Sequence, residues 1–155
     1  NQYPEDIYVS YLDFDSTWTE PVKLDFCKPR RNEASISMSS DERKIYLYED
    51  TTGNGDIFTT DFYHAKFQEI EPLDMKNVNS NDWETHCMMS HDKRRFFFVS
   101  DRSGGFGGRD IYVMERKHNG KWTRPKNLGP GINTPNDEDS PFISVDNRTL
   151  YYSSN

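Results

Sequence analysis

The chain has 155 residues, of which 14% are aromatic and 29% charged, and its formal net charge is −7 at pH 7. The scattered basic residues lack the clustered footprint that phosphate contacts need, so nucleic acid is not expected as a partner. No stretch has the apolar length of a membrane span, and two cysteines, Cys27 and Cys87, are too few for a disulfide framework. The two thiols leave the redox compartment open.

A repeated spacing of acidic residues divides the chain into copies of one unit. Glu is followed by Asp eight residues later and by Asp or Asn nine residues after that, in copies that start 51 and 54 residues apart. This period is typical of propellers and other repeat arrays. The interpretation is one array over residues 1–155, with units of approximately 1–32, 33–83, 84–137 and 138–155. The three copies are Glu33, Asp41 and Asp50; Glu84, Asp92 and Asp101; and Glu138, Asp146 and Asn155.

Each complete unit predicts four strands, which we name a to d. The chain opens with strand c at 7–10, followed by a strand d that carries Trp18, ends near Pro21 and continues over 22–24. Strand a has small and medium side chains, whereas strand b is apolar at every position and should be covered on both faces. A proline near strand d suits an outer edge, and no segment predicts a helix of any length. The remaining strands are a at 34–39, 85–90 and 139–145, b at 45–48, 96–99 and 150–152, c at 57–60 and 111–114, and d at 127–128.

Strands a and b are joined by a tight turn that begins with Asp in every copy, at Asp41, Asp92 and Asp146. An Asp in this place can accept hydrogen bonds from backbone N–H groups two or three residues later.

The predicted fold class is all-β, a β-propeller segment of four-stranded antiparallel blades. Because the chain opens at strand c and stops after strand b, it comprises two whole blades plus two half blades. Propellers close with four to eight blades. Either further blades of a longer chain or a second copy would complete the ring, and the segment is the favoured interpretation.

Three stretches carry a resemblance to a known family. Residues 140–155 resemble the a–b half of the TolB-type, WD-like propeller repeat, and residues 100–113 resemble its b–c half. Residues 122–129, with 132–134 and 137–138, are similar to the version found in OmpA-family envelope proteins of Bacteroidetes, which include a type IX secretion component. The second unit departs from the pattern, with Phe67 in place of Trp and two extra residues before Pro72.

The resemblance implies a non-catalytic protein-binding scaffold, periplasmic and in some cases outer-membrane-associated, whose partners are other envelope proteins. Peptidoglycan binding is not carried over from the family, because the domains associated with it are not part of this sequence.

Seven residues are candidates for contact with a partner. Glu33, Glu84 and Glu138 could form a ring of carboxylates that attracts cations or basic segments. The favoured alternative is that each glutamate accepts hydrogen bonds and holds the ring, because a structural role predicts repetition in every blade. The other candidates are Trp83, which stands where the other units have Asn32 and Asp137, and Arg102, Phe106 and Arg109 of a Gly-rich loop.

No cofactor and no metal ion is expected. The loop acids Asp50, Asp101 and Asp110 lack the spacing of a calcium loop and are interpreted as turn caps. His86 and Cys87 are adjacent on a strand, so their side chains point to opposite faces and cannot share one zinc ion. No nucleophile, metalloprotease or phosphate-loop motif occurs. A carbohydrate-active or carbohydrate-binding propeller remains the alternative, since two carboxylates placed across a sugar would suffice.

Overall fold

The computed structural model describes residues 5–29, 33–50, 53–64 and 66–155, without the side chains of residues 35 and 36. Within these residues the protein is all-β, with antiparallel strand pairs and no helix. The predicted strands a, b and c are confirmed to within three residues at each end. Of the first and third strands d, only the continuation after the proline forms β2 and β11, whereas Trp18 and Trp122 lie in isolated bridges to Leu12 and Arg116. The strands are β1 (Tyr8–Val9), β2 (Val22–Lys23), β3 (Glu33–Met38), β4 (Lys44–Glu49), β5 (Asp56–Tyr63), β6 (Lys66–Phe67), β7 (Glu71–Pro72), β8 (Glu84–Met89), β9 (Arg95–Ser100), β10 (Asp110–Glu115), β11 (Lys126–Asn127), β12 (Glu138–Ile143) and β13 (Leu150–Ser154).

The strands form four sheets that follow one another along the chain. Sheet 1 consists of β1 and β2, sheet 2 of β3 to β7, sheet 3 of β8 to β11 in chain order, and sheet 4 of β12 and β13. In sheet 2 the long β5 pairs with β7 near its middle and with β6 at its end. Among the described strands, the backbones of two sheets come close together only where β8 or β12, the first strand of a sheet, is one of the pair, and no strand-d element of one sheet approaches strand d of another.

The turn between strands a and b has the same hydrogen bonds in each copy. In sheet 3, Ser90 N donates to the carbonyl oxygen of Arg95, and Lys93 has a positive φ of 56°. Asp92 Oδ1 accepts from Ser90 Oγ at 2.6 Å and from Arg94 N at 3.0 Å, and the bond from Ser90 lowers the pKa of Asp92 most. The predicted Asp caps are therefore confirmed, with equivalent serine contacts at Ser39 with Asp41 and Ser144 with Asp146.

The core lies in three layers between successive sheets, because neighbouring side chains of a strand point to opposite faces. In β9, Phe96 and Phe98 pack with Tyr46 of sheet 2, whereas Phe97 packs with Ile143 of sheet 4. The predicted cover on both faces of strand b is confirmed for this strand. A third layer joins sheet 2 to the segment after β2 and comprises Phe26, Cys27, Ile45 and Leu47 with their neighbours.

The same prediction is wrong for the strand b of sheet 4. Leu150 packs on the layer shared with sheet 3, but Tyr151 is 61% exposed and its ring contacts Phe142 of the same sheet. Phe142 is itself 54% exposed. No described element covers this outer face, so the apolar side chains of β13 that point there meet solvent.

Candidate functional site

The predicted contact residues gather at one end of the sheets. Glu84 at the start of β8 pairs with Ser100 at the end of β9, and Ser100 also pairs with Asp110 at the start of β10. The loop between β9 and β10 must therefore lie beside the start of β8. We call this end the loop edge; it comprises residues 53–55, 80–84, 101–110 and 134–138.

At the loop edge, Glu84 is completely buried and held by three residues. Oε1 accepts from Ser80 Oγ at 2.8 Å, from Ser100 Oγ at 2.6 Å and from Arg102 Nη2 at 2.9 Å. Oε2 accepts from Ser80 N at 2.8 Å. Such charge-assisted bonds are what allow a buried carboxylate to keep its charge.

Glu138 occupies the equivalent place in sheet 4 and is also fully buried. Its carboxylate accepts from Thr134 N and Thr134 Oγ1 at 2.7 and 2.6 Å, and from Ser154 Oγ at 2.7 Å. Burial alone raises the pKa of Glu138, but the hydrogen bonds from Thr134 and Ser154 together outweigh it, so the pKa lies below its ordinary value. The group is therefore held as an anion.

Glu33, the third of these glutamates, is equally buried but differently supported. Its Oε1 lies 3.4 Å from Lys28 N, and its Oε2 has no hydrogen-bond partner. None of the three carboxylates is open to solvent, so their contact with a partner stays a prediction. The hydrogen-bonding alternative describes the geometry of Glu84 and Glu138.

Arg102 lies folded back against sheet 3 and extends only partly into solvent. Its guanidinium carbon is 4.9 Å from the ring centre of Phe98 and 5.1 Å from that of Tyr112. It also donates to the backbone carbonyls of Asn77, at 3.0 Å, and Val78. With Glu84, these contacts make Arg102 a fixed element of the packing between sheets 2 and 3.

The Gly-rich loop holds Phe106 outward. Phe106 is 48% exposed, and its backbone N–H donates to Asp110 Oδ2 at 2.6 Å. A Cβ atom added at Gly107 would lie 2.0 Å from the carbonyl oxygen of Asn136, so the loop lies directly against the following link. The predicted cap is confirmed at Asp110, and the loop is fixed at both ends.

Arg109 joins sheet 3 to the start of sheet 4. Its backbone N–H donates to Asp137 Oδ1 at 2.9 Å, and its Nη1 lies 2.7 Å from Asp139 Oδ2. The backbone hydrogen bond is the main cause that lowers the pKa of Asp137. Asp139 also contacts His86 Nδ1, at 2.5 Å. Part of the Arg109 side chain nevertheless remains exposed.

Trp83 is 41% exposed beside the start of β8. Its backbone N–H donates to Asp101 Oδ1 at 2.7 Å, and its ring centre lies 6.5 Å from that of Tyr48. The indole therefore covers part of Tyr48 and also presents a face to solvent. Together with Phe106 and Arg109, Trp83 forms the exposed part of the predicted contact set.

Sequence reasoning missed two asparagines, the buried Asn133 and the half-buried Asn79, that bind the backbone of strand c. Asn79 Oδ1 accepts from Ile57 N at 3.0 Å, and Asn79 Nδ2 donates to Ile57 O at 2.9 Å. Asn133 makes the same pair of bonds to Ile111, at 2.9 and 3.0 Å. The 54 residues that separate the asparagines equal the repeat period and could have revealed them.

In the first copy, Cys27 takes the place of these asparagines. Ile7 N lies 3.3 Å from Cys27 Sγ. We therefore define three equivalent corners, each at the junction of two sheets: corner 1 (Asp6, Cys27, Glu33), corner 2 (Asp56, Asn79, Glu84) and corner 3 (Asp110, Asn133, Glu138).

The other predicted thiol, Cys87, lies in the core between sheets 2 and 3, and its burial raises its pKa. His86, its neighbour, faces Asp139 of sheet 4. The two side chains therefore lie on opposite faces of β8, as predicted.

No family model matches the chain, and a search of curated proteins finds no significant match. In the part of the chain that the structure describes, no helix has the length and apolar character of a membrane span. The sheets and the loop edge must therefore carry the functional interpretation.

Proposed function

We propose that the four sheets are blades of a β-propeller built from TolB-type repeats, two whole and two half. Two features support this arrangement: the sheets pack face to face in chain order, and they contact one another through their first strands. Sheets that converge at strand a and diverge at strand d are arranged radially, as blades are. Further blades or a second copy would complete the ring.

We propose further that this propeller is a non-catalytic scaffold that binds other proteins through the loop edge. The observation that carries the proposal is the exposed set Trp83, Phe106 and Arg109, presented by backbone that internal hydrogen bonds already fix. Tryptophan and arginine are enriched among residues that dominate binding energy, and a preorganised loop lowers the entropy lost on association.

The family resemblance supports the location and partner class. It places such scaffolds in the periplasm, in some cases at the outer membrane, among other envelope proteins. A role within a secretion or outer-membrane-associated complex follows from the same resemblance.

The test compares two ends of the molecule in a binding assay with envelope extract. A photo-crosslinker placed at residue 103, an exposed position of the Gly-rich loop, should capture a protein partner, and Trp83→Ala combined with Phe106→Ala should abolish capture. Tyr63→Ala is the matched control, because Tyr63 is an exposed aromatic at the opposite end of β5. Capture that survives the double substitution but not Tyr63→Ala would transfer the binding role to the other end.

The carbohydrate alternative has its own observation. A groove of about 610 Å³ between sheets 2 and 3 is lined by Trp122, Glu71 and Asp74 among others. An aromatic face with carboxylates on one wall suits a sugar. A glycan array with the whole chain, repeated with Trp122→Ala and Glu71→Gln, separates the two functions: turnover lost in Glu71→Gln favours the enzyme, and protein capture without glycan binding favours the scaffold.

A further inference from the structure

Corner 1 brings together three side chains of metal-binding types. Asp6 lies just before β1, Cys27 follows β2 and Glu33 begins β3. One ligand atom from each lies within 4.8 Å of the other two. Glu33 and Cys27 are buried and Asp6 is partly so, which shields the cluster from water.

Corners 2 and 3 serve as internal controls for corner 1. There an asparagine amide makes two hydrogen bonds to the backbone of strand c, through Asn79 and Asn133. Cys27 reaches the backbone of Ile7 only through Sγ, at 3.3 Å from N and 3.9 Å from O. Because a thiol is a weak donor and a weak acceptor, it links the two segments less well than the amide.

Within the part of the chain that the structure describes, Glu33 also lacks the donors that its equivalents have. The residue paired with Glu33 on the neighbouring strand β4 is Glu49. At the equivalent positions of sheets 3 and 4 stand Ser100 and Ser154, which donate hydrogen bonds to Glu84 and Glu138. Glu33 is 1% exposed, yet its Oε2 has no hydrogen-bond partner. A buried carboxylate oxygen without a partner is costly, which points to a cation as the missing partner.

The charges around the cluster fit that interpretation. Lys23 Nζ lies 2.6 Å from Asp6 Oδ1 and supplies one positive charge. Among the described residues, no second positive charge lies against the other oxygen of Asp6, the carboxylate of Glu33 or the thiol of Cys27.

We propose that Asp6, Cys27 and Glu33 bind one divalent transition-metal ion of the zinc class. A sulfur with two oxygens suits Zn²⁺, which takes Cys, Asp and Glu ligands, whereas Ca²⁺ and Mg²⁺ select oxygen alone. On binding, the thiol releases its proton to solvent and the thiolate donates its electron pair to the metal. Water would fill a fourth position.

The ion would have a structural role, because its ligands come from both sides of a junction. Two of them flank sheet 1, and Glu33 begins sheet 2. A two-stranded sheet is marginally stable by itself. The metal would replace the missing asparagine as the link that holds sheet 1 on the array.

The test titrates the reduced whole chain with Zn²⁺ and with Co²⁺ as a spectroscopic substitute. The expected result is one ion per chain and the charge-transfer absorption of a cobalt–thiolate bond. Cys27→Asn and Glu33→Gln should each lower the affinity at least about tenfold, since even the loss of an outer-shell contact costs that much. Asp56→Asn, at the equivalent position of corner 2, is the matched control and should leave the affinity unchanged.

Alkylation read by peptide mass spectrometry gives a second measurement that does not depend on a variant's folding. Zn²⁺ should slow modification of Cys27 at least about tenfold, while the rate at Cys87 does not change. The proposal is overturned if Zn²⁺ and Co²⁺ fail to bind stoichiometrically, if the cobalt spectrum lacks the thiolate band, or if Cys27→Asn binds as tightly as the natural chain.

Discussion

Corners 1 and 2 occupy the same place in the repeat, but their buried glutamates have different hydrogen-bond partners. In corner 2, Glu84 is surrounded by Ser80, Ser100 and Arg102, which together give its oxygens four donors. In corner 1, Glu33 has one long contact and one oxygen without a partner. The backbone of the repeat therefore fixes where the carboxylate lies, and the neighbouring side chains decide what it binds.

The packing around the two corners differs as well. Sheet 3 is covered by sheet 2 on one face and sheet 4 on the other, and its central strand β9 is almost wholly buried. Sheet 1 has two strands of two residues each and exposes Tyr8 and Val22. Corner 2 thus lies within a thick core, whereas corner 1 lies beside a thin sheet that joins sheet 2 through one apolar layer and the contacts of the corner.

The largest expected effect lies in the thick core. Phe98→Ala should lower the free energy of unfolding by about 3–5 kcal/mol, because the ring is fully buried between Phe96, Tyr112 and Arg102. Phe142→Ala, on the exposed face of sheet 4, should cost less than about 1 kcal/mol. Urea unfolding followed by tryptophan fluorescence measures both. Equal losses of unfolding free energy in the two variants would show that the core of sheet 3 contributes no more to stability than the exposed face of sheet 4.

The next effect separates the two corners directly. Glu84→Gln should cost about 1.5–3 kcal/mol, because it removes the charge that Arg102 and two serines bind. Glu33→Gln in metal-free protein should cost no more than about 1 kcal/mol, since one of its oxygens makes no hydrogen bond. The two variants are compared by urea midpoint in the presence of a chelator. A larger loss at Glu33 would contradict the difference drawn between the corners.

The strands and turns of this fold were predictable because they follow from the repeat. The spacing of Asp41, Asp92 and Asp146 predicts three equal turns, and the apolar run at Phe96 to Val99 predicts a strand buried on both faces. The turns depend on neighbours close in the chain, and the strand is covered by the sheets before and after it; the structure confirms both features. The exposed Tyr151 differs because no described sheet covers the outer face of sheet 4.

The partners of charged side chains could not be predicted in the same way. Arg102 stands in a Gly-rich loop and has the composition of an exposed contact, but the buried anion of Glu84, 18 residues earlier, draws it inward. The equivalence of Cys27 to the asparagines could not be predicted from the spacing, because Cys27 lies 20 residues after Ile7, whereas Asn79 follows Ile57 by 22. Such roles depend on contacts between residues that are distant in the sequence and on loops whose lengths differ between copies.

A third prediction concerns the asparagine of the corners. Asn133→Ala should cost about 1–3 kcal/mol, because it leaves a buried N–H and a buried carbonyl of Ile111 without partners. Cys27→Asn in metal-free protein should instead stabilise the fold by up to about 1 kcal/mol, since the amide restores the bonds seen elsewhere. Asn119→Ala, in an exposed turn, is the control for the loss of an asparagine. If Cys27→Asn destabilises the metal-free chain, the equivalence of the three corners fails.

The smallest expected effect is a dependence on pH at the junction of sheets 3 and 4. Burial raises the pKa of Asp139, but the hydrogen bond and charge of His86, helped by Ser140 N–H and Arg109, outweigh it and set the pKa below its ordinary 3.8. A carboxyl group whose pKa is lower in the folded than in the unfolded state stabilises the protein at pH values above its unfolded-state pKa. That contribution is lost as the pH falls below about 3.8 and through the folded pKa.

Asp139→Asn should therefore flatten the decline of the urea midpoint as the pH falls below about 3.8. His86→Gln should flatten it as well, because it removes the partner that contributes most to lowering the pKa of Asp139. A decline as steep in both variants as in the natural chain would show that other carboxylates govern acid unfolding. In that case the apolar layer alone would hold sheets 3 and 4 together.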